Sequence, residues 1–174
     1  MKVAIFGGSF DPPTTGHMYV VAKALQCDFD EIWVVPSKRC WFKPYRVDFE
    51  TRMALVEAAI DECFGSNVRV RVIPIEAEMP GAMVSTWALW GFLRQRYPDC
   101  EFTFLFGADA WQAAPNWEHG AELVHNLPHL VIPRRPDGGV SSSRARELIR
   151  TGCSAEGVVP STVQAVIQEH GWYR

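Results

Sequence analysis

No stretch of this sequence reaches the roughly 18 consecutive apolar residues that a membrane-spanning helix needs. The N-terminus passes from Met1-Lys2 through a few apolar residues straight into Gly7-Gly8. A protein with no membrane partner and no export signal is the expectation, with the cytoplasm as its place. A cross-linking pattern of cysteines is lacking: Cys27, Cys40, Cys63, Cys100 and Cys153 are odd in number, widely spaced, and form no C-x-x-C pair. Neither a disulfide framework nor a structural zinc site is indicated, and reduced thiols are the default. Positive charge is also short. The formal net charge is −3, so the basic face that displaces counterions from nucleic acid is missing, and no nucleic-acid partner is expected. Two nucleotide-binding fingerprints are absent as well, since neither G-x-x-x-x-G-K-[ST] nor G-x-G-x-x-G occurs.

A chain of 174 residues with 48% hydrophobic content can bury one sizeable core and fits a single domain spanning 1–174. Short apolar runs recur at Val3 to Phe6, Ile32 to Val35, Val68 to Ile75, Phe102 to Phe106 and Leu130 to Ile132. Such runs read as strands buried on both faces. Helix-like stretches separate them, at Gly16 to Gln26, Asp48 to Cys63, Val84 to Arg96 and a broken Ala108 to Asn126, with two more at Ser143 to Arg150 and Ser161 to Glu169. The alternation predicts an α/β fold: a single Rossmann-like, doubly wound parallel sheet with helices on both faces. Ligands of such sheets sit beyond the carboxyl ends of the strands. The loops to search therefore begin at Gly7, Pro36, Gly107 and Pro133, and the local basic clusters Lys38-Arg39 to Lys43, Arg134-Arg135 and Arg144 to Arg150 suit a small phosphorylated ligand.

Two constellations carry the chemistry. The first is Gly7-Gly8-Ser9-Phe10-Asp11-Pro12-Pro13-Thr14-Thr15-Gly16-His17, a glycine pair after a strand and then a helix start. Glycines let a ligand approach the backbone, and the helix start offers free N–H groups and a positive dipole end to anionic oxygens. An ordinary strand-to-helix turn with Thr14 or Thr15 as N-cap accounts for the same residues. The second is Val140-Ser141-Ser142-Ser143-Arg144-Ala145-Arg146. Its hydroxyls can cap a helix or bind phosphate, and Arg146 shares a helical face with Ser143, one turn on.

Together these motifs resemble the nucleotidyltransferase superfamily that carries an (H/T)-x-G-H motif near the N-terminus and an I-S-S-T-x-I-R-like motif near the C-terminus. Within it they are most similar to the nicotinate or nicotinamide mononucleotide adenylyltransferases. The likeness runs on through Lys43-Pro44, Arg52-Met53, Gly107-Ala108-Asp109 with Trp117, and Arg135-Pro136. It implies an enzyme of NAD synthesis that joins ATP to a pyridine mononucleotide, releasing pyrophosphate. By the resemblance, Thr14, His17, Lys43 and Arg146 act on the ATP phosphates, with Ser142 and Ser143 beside Arg146. Gly107 and Asp109 would meet the adenosine ribose. Gly7, Gly8, Ser9, Phe10 and Arg135 would line the dinucleotide, and Mg²⁺ would be carried mainly by the phosphates, without a set of protein ligands. Ser85, Trp87 and Trp117 are the candidates for the pyridine end, although Met83 to Leu89 departs from the Ser-Tyr-Thr-x-Asp-Thr-Leu pattern of the bacterial nicotinate enzymes. Alternatives are another member of the superfamily, such as a phosphopantetheine adenylyltransferase or a cytidylyltransferase, and a non-catalytic module that senses NAD or ATP. No oligomeric state follows from the sequence.

Overall fold

The computed structural model describes residues 1–39, 45–136 and 138–174. Five strands, β1 (Lys2–Gly8), β2 (Glu31–Pro36), β3 (Val70–Val72), β4 (Glu101–Gly107) and β5 (His129–Ile132), form one sheet in the order β3-β2-β1-β4-β5. Every pairing is parallel. The connecting helices are α1 (Thr15–Ala24), α2 (Phe49–Phe64), α3 (Ile75–Glu78), α4 (Thr86–Arg96), α5 (Ala108–Ala113), α6 (Gly120–Asn126), α7 (Ser142–Arg150) and α8 (Ser161–His170), with a 3-10 turn at Ala114–Asn116.

The apolar runs are continuous because both faces of the sheet are covered. Ala4, Phe6, Ile32, Val34 and Leu105 point to one face, where they meet Val21 of α1, Leu55 and Ala59 of α2, Ala145 of α7 and Val163 and Ile167 of α8. Val3, Ile5, Trp33, Val35, Phe104 and Phe106 point to the other, against Ile75, Leu89, Leu93 and Leu123. The predicted doubly wound α/β sheet is therefore the observed one. The chain order reverses direction across the sheet between β1 and β4, and that crevice is where ligands of such folds bind.

Two expected elements differ. The strand expected over Val68 to Ile75 is only Val70–Val72. Val68 lies in a turn closed by Val70 N–H on the Asn67 carbonyl and is 85% exposed, while Pro74 starts the one-turn helix that sends Ile75 into the core. The broken helix from 108 to 126 is three pieces, with Pro115 in the 3-10 turn between them and His119 in the left-handed region before α6. Gly120 is obligatory there, because a Cβ would run into the carbonyl oxygens of Ala114 and Pro115.

Candidate active site

A cleft of about 500 Å³ opens at the carboxyl ends of β1, β2 and β4. Gly7, Gly8 and Ser9 line its floor, Ser37, Tyr45 and Glu76 one wall, and Gly107, Ala110 and Trp117 the opposite wall, with Ser85 and Thr86 at the start of α4. Gly8 has a packing reason to be glycine beyond ligand access. A Cβ there would sit 3.0 Å from the ring of Phe10, which is itself fully buried with φ of 47°. The Gly8 carbonyl is fixed by the Ser37 N–H at 2.8 Å, so the loops after β1 and β2 are tied together.

The first motif opens α1 with a reciprocal cap. The Thr14 side chain accepts from the His17 N–H, and the Thr14 N–H donates to His17 Nδ1 at 2.9 Å. Histidine thus takes the part that Glu or Gln plays in the usual capping box. This bond fixes the tautomer, because an Nδ1 that accepts carries no proton and leaves Nε2 as the donor. Burial also disfavours the charged ring and holds its pKa down to about 4. His17 is a neutral donor of fixed orientation, packed edge-on against Phe10 at 4.9 Å and tilted toward Phe6 at 6.1 Å.

The second motif packs onto the first. Gly16 carries no side chain because Val140 Cγ2 and the Val140 carbonyl would lie 3.1 Å from a Cβ there. Ser141 caps α7 by accepting the Arg144 N–H, Ser142 Oγ donates to the Pro12 carbonyl at 2.8 Å, and Ser143 Oγ accepts from Arg146 Nη2 at 3.0 Å. Arg146 Nη1 donates to the Asp11 backbone carbonyl. The fold therefore brings Thr14, His17, Ser142, Ser143 and Arg146 to one place, while Arg144 is exposed. Lys43 lies outside the described residues.

The remaining expected site residues are more scattered. Gly107 ends β4 in the cleft. Asp109 is exposed and ion-paired with Arg134, whose Nε lies 3.1 Å from Oδ1. Arg135 sits toward α1, with Nη1 donating to Thr15 Oγ1 at 3.1 Å. Trp117 lines the cleft with its ring 5.9 Å from that of Phe106. Ser85 lines it too, though its Oγ is also the N-cap acceptor for the Ala88 N–H. Trp87 packs its ring against Trp90 and His119 and is not among the residues lining the cleft.

Two buried charged residues were given no role by the sequence: Arg52, quoted only as part of the family likeness, and Glu76, which was not singled out. Arg52 is fully buried, donates to the Ser9 carbonyl at 2.8 Å and the Lys38 carbonyl at 3.4 Å, and stacks 3.8 Å from the Tyr45 ring centre. Glu76 is 5% exposed on the cleft wall and accepts the Lys38 N–H at 2.7 Å. Burial raises its pKa to about 7, against the pull of Lys38 and Arg52. A charged residue on the apolar face of a helix, as Arg52 is on α2 between the core residues Leu55 and Val56 and the N-terminal cap Asp48, was the available signal.

The two motifs, the cleft and their spacing agree with a comparison to known families: a family model described as cytidylyltransferase-like matches residues 5–154. The chain belongs to the cytidylyltransferase-like family. That match spans both motifs, and it makes this cytidylyltransferase-like protein a nucleotidyltransferase. A Bacillus pumilus relative named probable nicotinate-nucleotide adenylyltransferase is 30% identical over 190 residues, covering 99% of this chain and 98% of that protein. The nicotinate-nucleotide adenylyltransferase of Bacillus subtilis is 28% identical over 193 residues, with 99% and 98% coverage. The solved structure of the Plasmodium falciparum nicotinic acid mononucleotide adenylyltransferase, complexed with NaAD, superimposes with a TM-score of 0.81 at 20% identity, covering 99% of this chain and 97% of that one. That neighbour supports the shared fold of the cytidylyltransferase-like chain.

Proposed function

We propose that this protein joins ATP to nicotinate mononucleotide, forming the dinucleotide and pyrophosphate in NAD synthesis, with its 174 residues working as one domain in the cytoplasm. The observation that carries the reading is the single cleft running from Gly7-Gly8-Ser9 to Ser85 and Trp117, beside a helix start that presents His17. Such a cleft seats two nucleotides end to end over the β1 carboxyl end. The names of the relatives support nicotinate as the pyridine.

In this reading a phosphate oxygen of the mononucleotide attacks the α-phosphorus of ATP. The bond from that phosphorus to the bridging oxygen of the β-phosphate breaks, and its electron pair leaves on pyrophosphate. No protein nucleophile is required. Catalysis is positioning together with fixed positive charge and donors along the phosphates. His17 Nε2–H donates to a phosphate oxygen without a proton being lost, the first N–H groups of α1 add their dipole, and Arg146 supplies a planar fork of donors. Lys43 is the further cation in this proposal. Mg²⁺, when bound, would be held mainly by the ATP phosphates and would supply positive charge for the leaving pyrophosphate; among the described residues no group of three or more His, Cys, Asp or Glu side chains is placed to hold it. The nearby Asp11 carboxylate fits that division, being 1% exposed with Oδ1 accepting the Tyr173 hydroxyl and Oδ2 the Arg46 N–H.

The acceptor follows from the pyridine end. A buried carboxylate needs donors, and without them its desolvation costs several kcal/mol, whereas the carboxamide asks for a donor and an acceptor. The start of α4 offers donors at Ser85 and Thr86 beside the Trp117 ring. Steady-state kinetics with both mononucleotides is expected to give the higher kcat/KM for the nicotinate form. A preference for the nicotinamide form of tenfold or more, about 1.4 kcal/mol in transition-state binding, would reverse the assignment.

A further inference from the structure

Asp11 joins three parts of the chain that are far apart in sequence. Its carboxylate is 2% exposed, and both oxygens are taken by neutral donors: Tyr173 Oη–H to Oδ1 at 2.9 Å and the Arg46 N–H to Oδ2 at 3.2 Å. The Arg146 guanidinium is 18% exposed and lies beside the same carboxylate, but its Nη1 donates to the Asp11 backbone carbonyl and stays 3.9 Å from Oδ2. A buried carboxylate next to an arginine ordinarily takes it up in a short, bidentate pair. Here the pair is loose, and the second guanidinium nitrogen reaches Ser143 Oγ instead. Among the described residues, Arg146 thus commits two of its five N–H groups, to the Asp11 carbonyl and Ser143 Oγ.

Tyr173, the donor to Oδ1, follows α8 with a φ of 64° and lies beyond residues 5–154 that the family model matches. Its hydroxyl is held protonated, since burial and the Asp11 charge both push its ionisation upward. The donor is therefore constant across the working pH range. We infer that Tyr173 is a positioning residue of this enzyme: by satisfying Asp11 Oδ1 it keeps the carboxylate from capturing Arg146 and so leaves the guanidinium free for the phosphates of ATP. The inference rests on the reading that Arg146 binds those phosphates. Without the hydroxyl, Oδ1 becomes a buried, unsatisfied acceptor, and Arg146 is the cation nearest to relieve it.

A double-mutant cycle on the full-length protein separates the inference from the reading beneath it. Arg146→Ala alone tests whether Arg146 serves ATP at all, and a kcat/KM for ATP within twofold of the parent removes that foundation. Given a large loss there, Tyr173→Phe is expected to lower kcat/KM for ATP about tenfold, mainly through KM, in the parent background and by less than twofold in the Arg146→Ala background. An equal loss in both backgrounds, or no loss in the parent, overturns the positioning role. A general destabilisation moves both backgrounds alike, and melting curves report it directly. Should Tyr173→Phe fail to fold, Asp11→Asn carries the test through calorimetry with ATP. Removing the charge that competes for Arg146 tightens ATP binding if the inference holds, and unchanged or weakened binding contradicts it.

Discussion

His17 serves the helix and the reaction through different ring atoms. Nδ1 accepts the Thr14 N–H and closes the cap, so Nε2–H is the only polar edge left for substrate. The two roles can be parted, because a glutamine at this N3 position can keep the cap while presenting a different group to phosphate. His17→Ala is expected to lose about 0.5–2 kcal/mol of stability with the cap and about 10²–10³ in kcat with the donor. His17→Gln is expected to recover most of the stability and little of the rate. Thermal melts alongside steady-state rates check both, and a glutamine variant at parental turnover would take His17 out of the reaction. The depressed pKa adds a pH signature. The folded ring stays neutral down to about 4, whereas the unfolded ring takes up its proton near 6.5. Below that value the unfolded state binds the extra proton, so this contribution to stability is full above it and is lost as pH falls toward 4. His17→Gln is expected to flatten the acid side of the stability profile over that window.

The contact between the start of α1 and the strand-like lead into α7 is where the two motifs become one site. Gly16 is the second residue of a helix, where alanine by propensity alone would be favoured by roughly 0.5–1 kcal/mol. The Val140 carbonyl at 3.1 Å from the missing Cβ is backbone, and it cannot rotate aside as a side-chain tip could. Gly16→Ala is therefore expected to lower the melting temperature and raise KM for ATP, as α7 and Arg146 are pushed away from α1; overpacking of this kind typically costs about 1–3 kcal/mol. A variant more stable than the parent would show that the 140 segment yields freely. The same contact explains what the sequence made legible among the elements. The helix starts were readable to within a residue or two, with Thr14 or Thr15 as the cap of α1 and the later helix expected from Ser143 rather than after the Ser141 cap, because capping residues and glycines act over three or four positions. The end of the strand expected at Val68 to Ile75 was not, because apolar periodicity cannot tell a strand residue from Ile75, which reaches the same core from one turn of helix.

Across the molecule, the parallel sheet was legible because each apolar run is buried on two faces, and the phosphate end because both motifs are contiguous stretches. The network beneath the cleft was not, since Arg52, Glu76, Asp11 and Tyr173 meet only through folding, across separations as long as the 162 residues between Asp11 and Tyr173. Trp87 illustrates the converse: it follows Ser85 and Thr86 in sequence, but its ring packs against Trp90 and His119 and is not among the residues that line the cleft. The whole arrangement makes one claim, that a nucleotide phosphate is adenylylated in a cleft bounded by these loops. Its most direct test is pyrophosphate release from ATP with a panel of acceptors: nicotinate mononucleotide, nicotinamide mononucleotide, phosphopantetheine and no acceptor, with a parallel measurement of release from CTP. The account predicts release with ATP that depends on a pyridine mononucleotide, fastest with the nicotinate form, and one dinucleotide formed for each pyrophosphate. Release driven by phosphopantetheine or by CTP, or ATP binding with no pyrophosphate from any acceptor, would contradict it.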